Sequence, residues 1–179
     1  MAVKVNKVVL VDENDSVVGE MEKMQAHKKA RLHRAVSVFI VNSRKEWLLQ
    51  KRADGKYHSG GLWSNTSCTH PLKDEESEIC AKRRLKEEMG IDAKLQYVFN
   101  FIYRAELNNA LCEHELDHVY IGMTDEKPAI NQEEVSEWKY IAYDELKKDL
   151  KDHPERYTAW FKKMHKKVYR LLDDEFKND

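Results

Sequence analysis

The chain has 179 residues, 41% of them hydrophobic and 35% charged, with a formal net charge of -1. That length suits one domain, 1–179, large enough to bury its own core, and the balanced charge gives no global attraction for nucleic acid or anionic lipid. No run reaches the roughly 18 to 20 apolar residues of a membrane span, Met1 to Leu10 lacks a secretory apolar segment, and Cys68, Cys80 and Cys112 are too few for a disulfide framework, so a reduced, cytoplasmic protein without a membrane or nucleic-acid partner is expected.

In chain order, Val8 to Val11 and Val17 to Val18 flank the polar Asp12–Ser16 and read as a strand, a turn and a return strand. Ala35 to Val41 and Trp47 to Lys51 read as a hairpin across Asn42–Lys45. From Lys51 to Pro71 the periodicity is lost, and Gly55, Gly60, Gly61 and Pro71 mark a long loop of the kind that carries function. Asp74 to Met89 reads as an amphipathic helix, with Ala81, Leu85 and Met89 in one apolar row and Gly90 placed to end it; Cys80 within it reads as a small buried apolar residue. Leu95 to Arg104 alternates, which puts Leu95, Tyr97, Phe99, Phe101 and Tyr103 on one face of a strand. Val119 to Met123 and Trp138 to Ile141 are further strands, Asp144 to Leu150 a short helix, and the segment from about Pro154 through Trp160, Phe161, Met164, Val168 and Leu172 a terminal helix. This order points to an α+β domain with α/β/α layers.

The central helix carries the most specific pattern. Glu75 is followed after seven residues by Arg83-Arg84-Leu85-Lys86-Glu87-Glu88-Met89-Gly90-Ile91. This resembles the Nudix box, G-x5-E-x7-R-E-U-x-E-E-x-G-U, with Glu75, Arg83, Leu85, Glu87, Glu88, Gly90 and Ile91 in register. Thr69 stands where the first glycine belongs, and Arg84 where the first glutamate of the R-E pair belongs. Arg84 and Glu88 are four apart and share a helix face. A pyrophosphate-cleaving site needs clustered carboxylates to hold cations against the scissile phosphates; Arg in place of one removes a metal ligand and adds a phosphate fork. Such a face binds a diphosphate and leaves it intact.

The loop before the helix narrows the resemblance. Trp63-Ser64-Asn65-Thr66-Ser67-Cys68-Thr69-His70-Pro71 looks like the W-x-N-x-x-C-x-H-P signature of the type I isopentenyl-diphosphate isomerases, a branch of the Nudix superfamily. His27 to His33, Lys51-Arg52 with Lys56, and Glu113-His114-Glu115 resemble three further elements of that family, in its order, over about Asn6 to Trp160. Gly60 stands where the family often has Pro, a change expected to loosen the loop.

The resemblance implies a Nudix-type sandwich with a mixed sheet and a catalytic helix. It also implies that His27, His33, His70, Glu113 and Glu115 ligate one divalent metal, described for the family as zinc, manganese or magnesium, among which the ligand types do not choose. By the same resemblance Cys68 and Glu115 act on opposite faces of the carbon skeleton with Tyr103 assisting. Glu88 holds a magnesium ion carried in by the substrate diphosphate, Arg52, Lys56 and Arg84 form the diphosphate clamp, and Trp160 covers the hydrocarbon end. The implied partner is a small isoprenoid diphosphate, and the implied state a monomer or homodimer. His58, His153 and His165 read as ordinary surface or core histidines.

Moving the double bond of an unactivated alkene adds a proton at one carbon and removes one at another, through a cationic species that water would capture. The site must be dry and lined by aromatic faces, for which Trp160, Tyr103 and Trp63 are the candidates. Beside a non-catalytic diphosphate-binding module, two rival enzymatic functions remain at this stage. One is a Nudix hydrolase acting on a nucleoside diphosphate derivative. The other is a zinc protease, because His114-Glu115-Leu116-Asp117-His118 is a literal H-E-x-x-H, a motif that works only on a helix.

Overall fold

The computed structural model describes residues 6–107 and 110–178, with side chains to Asp174. Among them the first hairpin is β1 (Lys7–Val11) with β2 (Val17–Glu22), followed by a short helix α1 (Lys23–Lys28). The sequence pattern gives no sign of α1; it is started by Glu22, whose carboxylate accepts from the backbone N–H groups of Met24 and Gln25 at 2.9 Å each.

The second hairpin is β3 (His33–Val41) with β4 (Glu46–Arg52). Then come the short strands β5 (Trp63–Ser64) and β6 (Ser67–Thr69), the helix α2 (Ser77–Met89), and the long strands β7 (Leu95–Glu106), β8 (Cys112–Met123) and β9 (Val135–Ala142). Helices α3 (Tyr143–Asp152) and α4 (Ala159–Asn178) close the chain. Pro154 does not open the terminal helix: Pro154–Arg156 form a separate 3-10 turn, and α4 begins at Ala159. The helix expected from Asp74 likewise starts later, at Ser77, because Asp74 has φ 60° and the Glu75 carboxylate is taken by the Leu72 N–H at 2.8 Å. It ends at Gly90, left-handed at φ 69°, where a Cβ would stand 2.6 Å from the Ala129 carbonyl oxygen.

β3 organises the sheet. One edge pairs in parallel with β8 along its whole length, from His33 opposite Glu115 to Val41 opposite Met123. The other edge is shared: His33 bridges to β1, Val36–Val38 pair with β6, and only Ile40 and Val41 pair with β4. β3 and β4 therefore splay apart, and β5 and β6 line the gap between them. The gap is what allows helices on opposite faces to reach one site.

One face buries Val36, Val38, Ile40 and Leu48 under Cys80, Ala81, Leu85 and Met89 of α2, as the apolar row predicts. The other buries Phe39, Val41, Trp47, Leu49 and Val119 under Leu146 of α3 and Phe161, Met164, Val168 and Leu172 of α4. Each such side chain contributes roughly 1.5–3 kcal/mol on burial. The result is the expected α/β/α layering. The expectation of one aromatic face on β7 fails: a bulge between Tyr97 and Phe99 inserts a residue, so Leu95 packs on the α2 side and Phe99 and Tyr103 on the α4 side, while Tyr97 is exposed. No helix among the described residues is long and apolar enough to cross a membrane.

Candidate active site

Strand alternation and register assemble the site. His33 and Ser37 of β3, Glu113, Glu115 and Asp117 of β8, and Tyr103 of β7 share the α4-side face, because His33 lies opposite Glu115 and Tyr103 opposite Glu115 on its other side. Cys68 on β6 lies opposite Ser37 and joins the same face. His27 comes from α1 and His70 from the chain just after β6.

His27, His33, His70, Glu113 and Glu115 each offer a ligand atom, and these atoms all lie within 4.8 Å of one another. The imidazoles are oriented for the purpose. His27 Nδ1 lies 2.7 Å from the Lys23 carbonyl oxygen and His33 Nδ1 2.8 Å from that of Arg31, so each Nδ1–H is donated outward and each Nε2 lone pair turns into the cluster. There His27 Nε2 faces Glu113 Oε2 at 3.1 Å and His33 Nε2 faces Glu115 Oε1 at 3.5 Å. His27 Nε2, His33 Nε2 and Glu113 Oε2 are buried without a hydrogen-bond partner, an arrangement costing about 1–3 kcal/mol per group unless a cation satisfies it. The residues present therefore fit a divalent cation, and their mixed imidazole and carboxylate chemistry admits several.

Beside the cluster, Glu115 Oε2 accepts from the Tyr103 hydroxyl at 2.5 Å and Oε1 lies 2.8 Å from His70 Nε2. Burial pushes the Glu115 carboxyl up, but the imidazoles of His33 and His70 outweigh it and hold the group well below the usual carboxylate range. Burial, helped by Glu115, raises the Tyr103 phenol. Asp117, also buried and next to Glu115, is pushed the other way, well above its ordinary value, and accepts from Ser37 Oγ at 2.7 Å. Burial lifts the Cys68 thiol to about 12, so it is neutral at physiological pH.

One cleft, about 550 Å³ counted to its open mouth, is lined by Cys68, Glu113, Glu115, His70, Tyr103, Arg52, Lys56, Arg84, Glu88 and Trp160. Its cationic wall is held by carboxylates: Arg84 donates to Glu88 Oε1 at 2.6 Å and to Glu134 Oε2 at 3.0 Å, and Lys56 pairs with Glu134. Buried Glu88 also accepts from Gln50 Nε2 at 2.6 Å. Arg52 lies over the Trp160 ring, 5.3 Å from its centroid, with Nη1 3.9 Å from Cys68 Sγ. The catalytic, metal-ligating and substrate-binding residues expected from the resemblance thus border the cleft or the ligand cluster against it. Trp63 does not: it is half-buried outside the cleft, with Lys139 Nζ 4.4 Å over its ring.

The sequence reading passed over Lys23, Tyr57 and His58, which line the same cleft. Burial brings Lys23 down to about 8. His58, read from the sequence as an ordinary surface or core histidine, is buried and lies 2.8 Å from Glu113 at the edge of the ligand cluster. Its only signal was membership of the aperiodic loop with Lys56. Asp117 did have one, since it continues the alternation of Glu113 and Glu115. His165, buried against Tyr143 and Phe161, is the core histidine expected. The H-E-x-x-H segment lies within β8, so His114 and His118 face away from Glu115; their nitrogens meet Ala30 O and Asp15 Oδ2, each at 2.8 Å, which removes the protease reading.

Comparison with known proteins agrees. The NUDIX domain model matches residues 31–161. An isopentenyl-diphosphate Delta-isomerase of Pectobacterium atrosepticum is 55% identical over 155 residues, 87% of each chain, and isopentenyl-diphosphate Delta-isomerase 1 of Aromatoleum aromaticum is 46% identical over 170 residues, 95% of this chain and 96% of that one. Among solved structures, DR0079 from Deinococcus radiodurans superposes with a TM-score of 0.76 at 18% identity, over 91% of this chain and 99% of that one. The MutT protein from Methanosarcina mazei gives 0.64 at 18% identity, over 79% and 95%; these two speak for the fold alone. Identity at this level along nearly the whole chain, together with the sheet and helix described above, places the chain in the isopentenyl-diphosphate Delta-isomerase family, on the Nudix fold.

Proposed function

We propose that this cleft interconverts isopentenyl diphosphate and dimethylallyl diphosphate by moving one proton onto the carbon skeleton and another off it. The observation that carries the reading is that a neutral thiol, Cys68, and an ionised carboxylate, Glu115, line one cleft whose wall bears Arg52, Lys56 and Arg84. The cations bind the diphosphate, and their binding energy, remote from the reacting carbons, fixes the hydrocarbon between the two proton carriers. Cys68 exchanges a proton as an uncharged, weakly hydrated group. Glu115 exchanges one at the other face, and the Tyr103 hydroxyl at Oε2 steadies it as its charge changes. Trp160 and Tyr103 exclude water and turn π faces toward developing positive charge. A divalent cation among His27, His33, His70, Glu113 and Glu115 would hold Glu115 oriented and ionised, and magnesium arriving with the diphosphate at Glu88 would neutralise part of its charge.

Arg84 paired with Glu88 argues against a hydrolase, since it puts a cation where a metal-holding carboxylate is needed. The test is incubation of metal-replete protein with isopentenyl diphosphate and magnesium, following the dimethylallyl isomer and deuterium uptake from heavy water. Isomer and label are expected. Absence of both, or phosphate release from nucleoside diphosphate derivatives in their place, overturns the reading.

A further inference from the structure

The loop between β4 and β5 brings more than the diphosphate clamp to the site. It folds back tightly enough that a Cβ on Gly60 would stand 2.5 Å from the Asp54 carbonyl oxygen, so Gly60 permits a close backbone approach here rather than loosening the loop. That approach buries His58, whose Nε2 lies 2.8 Å from Glu113 Oε1, an ion-pair contact that lacks the alignment of a regular hydrogen bond. Its other nitrogen, Nδ1, is 3.1 Å from Ser59 Oγ. A hydroxyl donating there leaves the ring proton on Nε2, the nitrogen beside the carboxylate.

The ring is fixed on its remaining sides. Its plane meets Trp160 edge-on at 5.8 Å, and the His58 carbonyl accepts from Arg52 Nη2 at 3.2 Å. Ser59 is held at φ 53°, a left-handed conformation that costs a non-glycine residue energy and persists only where neighbours enforce it. Glu113 is thus divided: Oε1 turns to His58 outside the ligand cluster, and Oε2, without a hydrogen-bond partner, turns to His27 inside it.

We infer that His58 is a positioning residue of the cation site: its Nε2, in close contact with Glu113 Oε1, holds that carboxylate so that Oε2 is presented as the ligand. The inference rests on the divalent-cation reading of the cluster. It adds that one loop serves two ends of the substrate site, since Lys56 belongs to the diphosphate wall and His58 to the carboxylate that faces the cation.

The experiment measures cobalt(II) affinity by chelator competition for the parent, His58→Ala, His58→Gln and Ser59→Ala, with visible absorption at saturation and thermal melting of the metal-free forms. His58→Ala is expected to weaken cobalt binding about 10- to 100-fold, the usual effect of removing such a partner. His58→Gln, which keeps a donor, recovers most of that, and Ser59→Ala falls between. The cobalt band of saturated His58→Ala keeps the parent shape, because no ligand is lost. Should His58→Ala fold poorly, the Gln and Ser59 variants carry the same comparison. Parent-like affinity in all three variants overturns the inference, and so does a band changed in the manner of a lost nitrogen ligand, which would make His58 a ligand itself. A parent that binds no cobalt removes the cation site and this role together, whereas a binding parent with indifferent variants removes only the role of His58.

Discussion

Cys68 and Glu115 are held in opposite proton states by surroundings a few residues apart. Burial lifts the thiol to about 12, while His33 and His70 keep the equally buried carboxyl ionised. A site that must give one proton and take another needs such a pair. Cys68→Ala is therefore expected to lower kcat by roughly a hundred- to ten-thousand-fold, the range for a positioned acid or base. Inorganic pyrophosphate binding should stay close to the parent, because the cations of the cleft wall are untouched. Steady-state kinetics and calorimetry separate the two effects, and an alanine variant with parental kcat would remove Cys68 from the chemistry.

At the scale of elements, not every charge in the Nudix-like pattern turns to the cleft. Arg84 and Glu88 line it, whereas Arg83 forks onto Glu75 at 2.7 and 2.9 Å and ties the middle of α2 to the chain before it. The Arg83 guanidinium is the first cause that holds the Glu75 carboxyl below its usual range, burial opposing it. A depressed carboxylate stabilises the fold above its unfolded value and loses that contribution as pH falls through the depressed one. Glu75→Gln should thus be less stable than the parent at neutral pH, by about 1 kcal/mol for a pair this exposed, and the gap should close on acidification below pH about 4. Urea unfolding at several pH values tests this; a gap that does not change with pH would show that Glu75 acts by packing alone.

For the whole molecule, the cluster of three imidazoles and two carboxylates joins α1, β3, β8 and the loop after β6, so a cation bound there ties together segments far apart in the chain. Stripping the protein with a chelator leaves buried Glu113 and Glu115 to repel one another. At free metal about 100 times its Kd, binding to the folded state contributes about 2.7 kcal/mol, or roughly 5 to 10 °C in Tm for a domain of this size. Calorimetry with and without chelator should show that loss and its reversal on adding a divalent metal; identical melts would speak against a cation at the cluster. The sequence made the layers and the amphipathic α2 legible, because hydrophobic period and the Gly90 stop are local properties of the chain, and the resemblance of its motifs to a known family pointed to the residues that border the cleft. The sequence could not supply the bulge that divides the β7 aromatics, the helix α1 that delivers His27, or the inward turn of His58. Each depends on strand register and on a loop folding back against its own backbone, and those are settled only when distant segments pack.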